Sequence, residues 1–500
     1  MSDAVNGSVE HVEVVVVGAG FAGIGMAMAL RRAGVDSFAV LESAASIGGT
    51  WRDNTYPGIA CDVPSHLYGF TDHPNPHWSG VYAAGSEIRC YLERVAELEQ
   101  IRPEFETPVL AARWDNEARS WRLDLGGPQT RTLHADVLVL ACGRLTEPAI
   151  PQLPGLDSFP GPMFHTARWD HSADLAGARI AVIGTGASAV QVVPELAGLG
   201  SVTLFQRTPA WIVPRDARAY SDAERAGFAA DPSSLRALRA ALYTEGELRF
   251  ASRSGDPAAA SAARAVARAH LAAQVADPSL RSRLTPDYAF GCKRVLLSDD
   301  FYPAVASDAV TLVPSALAAV DGSTLVAVDG ARHPVDVLVL ATGFASSRQP
   351  YAEMVRGEHT TLSEHWAGGM TSFGSTVVAG FPNMFVLNGP NASLGHNSSV
   401  LMTELQAGYV ARSLRHRRGR GGVLRVRAEA ETAYTAEIDR AAAATPWLTG
   451  GCQNWYVDPR SGRLTLLWPG TVDAFRERLA RADGSEFEVL DRRAATSCEQ

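Results

Sequence analysis

Two short apolar runs that stop at glycine each occur twice along this chain, and the duplication constrains its fold more than any other feature. Val14-Val15-Val16-Val17-Gly18-Ala19-Gly20 returns as Ile180-Ala181-Val182-Ile183-Gly184-Thr185-Gly186. Asp136-Val137-Leu138-Val139-Leu140-Ala141-Cys142-Gly143 returns as Asp336-Val337-Leu338-Val339-Leu340-Ala341-Thr342-Gly343. Continuous apolar runs of this length, closed by glycine, are the pattern of parallel strands buried on both faces. A strand and glycine turn followed later by a second strand and turn, made twice over, predicts an α/β chain with two Rossmann-like dinucleotide-binding units.

Between Arg218 and Pro286 the texture changes. Asp231-Pro232 and Asp256-Pro257 read as a helix N-cap followed by proline in the first turn, and Ala- and Arg-rich runs follow each. This predicts a helical insertion over residues 217–285, carried by the second unit. Phe381-Pro382-Asn383-Met384-Phe385 starts another apolar strand, where the chain is expected to return to the first unit. The expected division is 1–146 with 381–500, then 147–216 with 286–380, with 1–9 and 491–500 as tails.

The two glycine turns predict different ligands. Gly18-Ala19-Gly20-Phe21-Ala22-Gly23 follows a strand and opens a helix, so Gly18 makes the tight turn, Gly20 lets backbone approach a pyrophosphate, and Gly23 packs helix on strand. The next strand, Phe38 to Leu41, ends at Glu42, 24 positions after Gly18, where a carboxylate would hold a ribose hydroxyl. Gly184-Thr185-Gly186-Ala187-Ser188-Ala189 repeats the turn with alanine in the third place. The strand Val202 to Phe205 then leads to Gln206-Arg207-Thr208, so Arg207 occupies the slot of Glu42. A carboxylate would repel a 2′-phosphate whereas arginine grips it bidentately, which selects NADP over NAD.

Composition excludes other classes. Apolar residues are 46% and charged residues 20%, an ordinary globular balance. The net charge of -9 does not suit a nucleic-acid binder. Val12 to Leu30 is about long enough to span a bilayer, but Glu13 and four glycines lie within it, and no Lys or Arg occurs in the first eleven residues, as a signal peptide would require. It reads as a strand running into a helix, and a cytoplasmic protein without a membrane span is expected. Six scattered cysteines without a CxxC pair fit a reducing compartment and argue against structural zinc or a dithiol centre. His73 and His77 are four apart, but Pro74 and Pro76 break any helix between them, so no metal is expected. Arg412, Arg415, Arg417, Arg418 and Arg420, ahead of Gly421-Gly422, read as a helix C-terminus with cations on its dipole. Trp447, Trp455 and Trp468 suit core and substrate pocket equally.

Between the units, Phe159-Pro160-Gly161-Pro162-Met163-Phe164-His165-Thr166-Ala167-Arg168-Trp169-Asp170 matches FxGxxxHxxxW(P/D). In this the chain resembles the type I flavin-dependent Baeyer–Villiger monooxygenases, and the resemblance runs along most of its length. It implies FAD in the first unit, NADPH in the second, and conversion of a ketone to an ester or lactone with O2 through a C4a-peroxyflavin. Gly48-Gly49-Thr50-Trp51-Arg52-Asp53-Asn54-Thr55-Tyr56-Pro57-Gly58-Ile59-Ala60-Cys61-Asp62 resembles the family's flavin-site segment and places Asp62 beside the flavin. Gly291-Cys292-Lys293-Arg294 resembles its arginine motif, making Arg294 the catalytic cation and Lys293 a second cation for the 2′-phosphate. Asn454-Trp455-Tyr456 resembles a segment whose Trp contacts the nicotinamide nucleotide. Phe381-Pro382-Asn383 and Gly389-Pro390-Asn391 resemble a late flavin-binding segment. Val295 stands where many members have proline. Val63-Pro64-Ser65-His66-Leu67-Tyr68 and 296–302 are most similar to the hydroxyacetophenone monooxygenase-like subgroup, whose long N-terminal extension is absent.

The reaction suits these residue types. The cofactor carries the hard chemistry and the protein orients and stabilises charge. An arginine that cannot lose its proton fits an anionic adduct, with Asp62 orienting it and His165 coupling the linker to turnover. Two other readings share the glycine turns: a flavin monooxygenase that hydroxylates nitrogen or oxidises sulfur, and a non-catalytic dinucleotide-binding flavoprotein. A pyridine-nucleotide disulfide reductase lacks its cysteine pair.

Overall fold

A computed structural model describes residues 10–420 and 422–491. Gly421 and the expected tails at 1–9 and 492–500 lie outside the described residues. Asp491 belongs to no tail, since it ends the strand Phe487–Asp491, which pairs antiparallel with Gly422–Val426.

The duplicated runs form the centres of two sheets. Glu10–Val17 lies between Phe38–Leu41 and Arg131–Leu140, parallel to both. Arg179–Ile183 lies between Ser201–Phe205 and Val337–Leu340, again parallel to both. Val310–Val313 and Met163–His165 add the second sheet's outer strands. Val14, Val15, Val16, Ile180, Ala181 and Val182 are wholly buried, as strands covered on both faces must be. The repeat extends to single atoms. A Cβ on Gly18 would stand 2.6 Å from the carbonyl oxygen of Ala141, and one on Gly184 would stand 2.4 Å from that of Ala341. The segment Val12 to Leu30 divides into that first strand and the helix Phe21–Arg32, and among the described residues no helix is long and apolar enough to cross a membrane.

The first sheet is finished by later parts of the chain. Val109–Asp115 and Ser120–Leu125 extend it antiparallel, and Met384–Val386 joins Arg131–Leu140 in parallel, as the apolar run from Phe381 predicted. The chain returns earlier than expected, however. Val355–Arg356 pairs with Ala112 and Arg113, and Tyr351, Ala352 and Leu362 are buried in the same core. The expected boundary at 380 is therefore corrected, because Val355–Arg356 extends the edge of the first sheet and the apolar residues around it pack into that sheet's core.

Five helices fill Asp222 to Leu284. Asp231 and Asp256 cap theirs through Ser233 N–H and Ala259 N–H, with proline next in each, and Asp277-Pro278 makes a third pair that the sequence reading did not single out. These helices touch both units. Arg239 donates to the carbonyls of His66, Leu67 and Gly69, while Leu271, Val275 and Leu284 enter the second core. The arginine-rich end of the helix Ser399–Arg420 does more than answer its own dipole: Arg417 pairs with Glu13 and Asp136, and Arg418 with Glu13, pinning the helix to the first sheet.

Candidate active site

Both glycine turns open on one cleft of about 1930 Å³. Ordinary small-molecule pockets measure roughly 300–1,000 Å³, so this one has room for two dinucleotides. In the first turn Gly20 caps the helix Phe21–Arg32, and Gly18, Gly20, Phe21 and Ala22 line the cleft. Gly23 stands behind it, where a Cβ would fall 1.8 Å from the Gly18 carbonyl oxygen. Its task is helix packing rather than ligand contact. Glu42 lines the cleft and is held by the turn itself: Ala19 N–H donates to Oε2 at 2.9 Å, Ala44 N–H donates to Oε1 at 3.0 Å, and Arg52 pairs with Oε1 at 3.0 Å. Gly49 and Thr50 also line the cleft, as do Trp51 and Tyr68, whose side chains meet through a Trp51 Nε1–H bond to the Tyr68 hydroxyl at 3.2 Å.

The second turn repeats this with different charge. Gly186 caps the helix Ala187–Ala197, and Gly184, Thr185, Gly186, Ala187 and Ser188 line the cleft, whereas Ala189 is fully buried behind them. The Thr185 hydroxyl donates to the Thr208 carbonyl at 2.8 Å, and Lys293 Nζ donates to the Thr208 hydroxyl at 2.6 Å. Burial, and then the neighbouring Arg207 guanidinium, lower the basicity of Lys293. Two cations that feel each other's charge at the cleft wall make this stretch of it strongly electropositive.

At the junction of the two turns, Arg294 meets Asp62. Its Nε donates to Asp62 Oδ2 at 3.1 Å and its Nη2 to the same oxygen at 2.5 Å. Burial alone would raise the Asp62 carboxyl, but the guanidinium overrides it and holds the group below its usual range. Asp62 in turn makes Arg294 still harder to deprotonate. The segment carrying Asp62 is clamped to the second unit, for the Tyr56 hydroxyl donates to Gln191 Oε1 at 2.8 Å and Gln191 Nε2 donates to the Ala60 carbonyl at 2.9 Å. Trp447 and Trp455 line the same cleft, whereas Trp468 is a core residue whose indole donates to the Thr471 carbonyl.

His165 does not lie in a free linker. It ends Met163–His165, the edge strand of the second sheet. Its Nδ1 accepts from Ala167 N–H at 3.0 Å, the Gly343 backbone lies against the imidazole, and its ring meets Phe344 edge-on. Phe344 belongs to the crossing between units, where Ala149 N–H donates to Gly343 O and Ala345 N–H donates to Glu147 O. Arg168 also reaches this crossing, donating to the Thr146 carbonyl. The late segment likewise divides its labour. Asn383 and Asn391 are buried and bond backbone at Asp136, Leu464 and Leu467, while Asn388, Ser393, Leu394 and Asn397 face the cleft.

The cysteine reading needs correction. Cys292, next to Lys293, is disulfide-bonded to Cys452, which lines the cleft three positions before Trp455. Partners 160 positions apart escape a search for local pairs. Cys61, Cys90 and Cys142 are unbonded. His73, which the sequence paired with His77, instead pairs with Glu99 at 2.6 Å. Arg144 and Arg253, which the sequence reading passed over, stand close to the Arg294–Asp62 pair.

Residues 15–221 match the family described as "Pyridine nucleotide-disulphide oxidoreductase". The three cysteines in that span are free, so the likeness is one of dinucleotide fold and not of a reductase's cysteine pair. Over 96% of its length the chain is 46% identical to a Baeyer-Villiger monooxygenase of Streptomyces coelicolor, covering 93% of that protein. It is 39% identical to one of Pseudomonas aeruginosa, covering 96% of this chain and 92% of that protein. A steroid monooxygenase bound to NADP superposes with a TM-score of 0.84 at 31% identity, covering 96% of this chain and 100% of that one. Cyclohexanone monooxygenase from Rhodococcus sp. Phi1, bound to NADP+, superposes with a TM-score of 0.86 at 28% identity, covering 97% and 100%. A likeness that spans both glycine turns, the crossing between them and the Asp62–Arg294 pair makes this chain a member of the Baeyer–Villiger monooxygenase family.

Proposed function

We propose that this chain binds FAD along the first turn and NADPH along the second, and converts a ketone with O2 to an ester or lactone. Bound together, the two cofactors supply hydride transfer and oxygen activation. The observation that carries the reading is the Asp62–Arg294 pair, set where both turns open on one cleft.

The residues fit both groups. The Gly18–Gly20 backbone and the N-terminus of the helix Phe21–Arg32 would take one pyrophosphate, with Glu42 at the ribose. Gly184 to Ser188 would take the other, and Arg207 with Lys293 the 2′-phosphate. A permanently charged guanidinium then faces negative charge as it builds on the carbonyl oxygen of the ketone. Asp62 binds one edge of that guanidinium, fixing its plane and leaving its other N–H donors to the substrate. His165 is a positioning residue that holds the crossing between units.

The test is aerobic turnover of the FAD-loaded protein with NADPH and a panel of ketones under 18O2. The expected product is heavier by one labelled oxygen. Oxidation of a thioether or an amine without any ester would favour the sulfur- or nitrogen-oxidising reading, and no substrate-dependent loss of NADPH would defeat the enzyme reading altogether.

A further inference from the structure

Three guanidiniums, two of them lining the cleft, gather about the Tyr456 phenol, and among the described residues only one of the three is paired with a carboxylate. Arg294 takes Asp62. Arg144 follows the Gly143 turn and lines the cleft; its Nη1 is buried without a hydrogen-bond partner. The groups whose fields reach it are Arg294 and the phenols of Tyr68, Tyr351 and Tyr456. Arg253 comes from the other side, in the short helix Ala251–Ser254, and its Nε is likewise buried and unpartnered. Arg249, Tyr456, Arg294 and Asp62 act on it. Tyr456 is the hub, since all three arginines and Asp62 act on its phenol. Neither Arg144 nor Arg253 has an ion-pair partner among the described residues.

Buried charge without a counter-charge is strongly unfavourable, and like charges nearby make it worse. Burial, reinforced by the other arginines, lowers both side chains to about 10. Both are still cations at neutral pH. The phosphates of two dinucleotides are already provided for at Gly18–Gly20 and at Gly184–Ser188 with Arg207 and Lys293, and the charge that builds on a ketone oxygen is met by Arg294. What remains is cationic surplus in the cleft that Trp447 and Trp455 also line. Resting on the reading that this cleft oxygenates ketones, we propose that Arg144, supported by Arg253, is a specificity-determining anion subsite that selects ketones bearing a carboxylate. Guanidinium is the side chain best matched to a carboxylate, by its planar, bidentate donor edge.

The holoenzyme tests this with a matched pair, 5-oxohexanoate and its methyl ester, and with hexanoate as a carboxylate that cannot react. A hydrogen bond to a charged group is worth ~1.5–3 kcal/mol, on the order of ten- to a hundred-fold. The wild type should favour acid over ester in kcat/KM by that factor. Arg144→Gln should bring the ratio near unity, and Arg144→Lys should retain much of it. Arg253→Gln should weaken it in part. The acid-to-ester ratio cancels general damage to the enzyme. Hexanoate should raise the melting temperature and perturb the flavin spectrum of the wild type and not of Arg144→Gln. A wild-type ratio at or below one, or an unchanged ratio in Arg144→Gln, would overturn the proposal, as would loss of FAD from both Arg144 variants, which would assign the cation to the flavin. If neutral ketones are oxygenated without a carboxylate preference, this inference fails alone. If no ketone is oxygenated, the proposed reaction fails, and hexanoate binding still decides whether the anion subsite exists.

Discussion

The two glycines of the second turn should fail in opposite ways when given a methyl group. Gly186 has φ -78° and ψ -173°, extended backbone that any residue adopts, and its Cβ would meet no heavy atom within 4 Å. Gly186→Ala should therefore fold as well as the wild type, or gain ~0.4–1 kcal/mol through a less flexible unfolded chain. The methyl group would, however, fill the space through which a pyrophosphate reaches the backbone. Losing one charge-assisted hydrogen bond costs ~1.5–3 kcal/mol, so NADPH should bind roughly ten- to a hundred-fold more weakly. Gly184 differs: φ is +117°, and its Cβ would lie 2.4 Å from the Ala341 carbonyl oxygen. The left-handed backbone alone costs ~1–2 kcal/mol, and the overlap adds to it. At ~2.1 cal/mol/K per residue a chain of 500 residues shifts by about 1 °C per kcal/mol, so the melting temperature of Gly184→Ala should fall by at least roughly 1–2 °C. Calorimetry and equilibrium titration with NADP+ on the FAD-loaded variants separate the two effects. Wild-type NADP+ affinity in a folded Gly186→Ala would refute the placement of the pyrophosphate at this turn.

Other consequences follow from the same geometry. Arg207→Ala should weaken NADPH binding by about ten- to a hundred-fold and leave NADH nearly unchanged; equal loss for both would point to damage of the loop. Arg294→Ala should keep FAD and oxidise NADPH, but lose ~10²–10³ in ester formation and release hydrogen peroxide instead. Normal ester yield, or failure of flavin reduction alone, would remove Arg294 from the oxygenating step. His66 and His165 are buried, and burial lowers each from 6.5 to about 4. Protons then favour the unfolded chain, so stability is full above pH 6.5 and declines as pH falls toward 4, by roughly 3 kcal/mol for each histidine at ~1.4 kcal/mol per pH unit. Denaturant midpoints across that window should show it, and a flat profile would contradict the burial of both rings. Cys452→Ser should cost about 2–4 kcal/mol by freeing a long loop. Thiol titration of the denatured, unreduced wild type should find at most four of its six cysteines, and six would exclude the bond.

The parts of this molecule legible in the sequence are those whose cause is local. A parallel strand buried on both faces must be apolar throughout, so Val14 to Val17 and Ile180 to Ile183 announce themselves. A glycine turn opening a helix is a contiguous motif, and so is an aspartate followed by proline at a helix start. Glu42 and Arg207 could be compared because the repeat fixes their register. What escaped depends on chain segments far apart. Val355–Arg356 is too short to signal a strand and is one only because Ala112 and Arg113 lie beside it. Cys292 and Cys452 are solitary in sequence and bonded in space. Arg144 and Arg253 look like surface residues until the fold brings both beside Arg294 and the Tyr456 phenol.

The fingerprint between the units shows why a motif's position can be plain while its work is not. Its Phe159, with Leu156 just ahead of it, is buried against the second sheet, and a Cβ on Gly161 would stand 2.1 Å from the Asp336 carbonyl oxygen. Trp169 packs edge-on against Phe164. These residues fasten the strand Met163–His165 to Val337–Leu340, and the fastening sets where His165 stands. A histidine at about 4 is protonated in only roughly one molecule in a thousand at pH 7, and its Nδ1 lone pair is already taken by Ala167 N–H. It is therefore poorly placed to donate a proton. Its ring instead bears on Phe344, in the paired crossing that joins the strand ends of both sheets. Arg168, three residues on, binds the other chain of that crossing. These two chains carry the backbone between the two sheets, so the fingerprint's polar residues bear on the crossing while its apolar ones hold the strand beneath it.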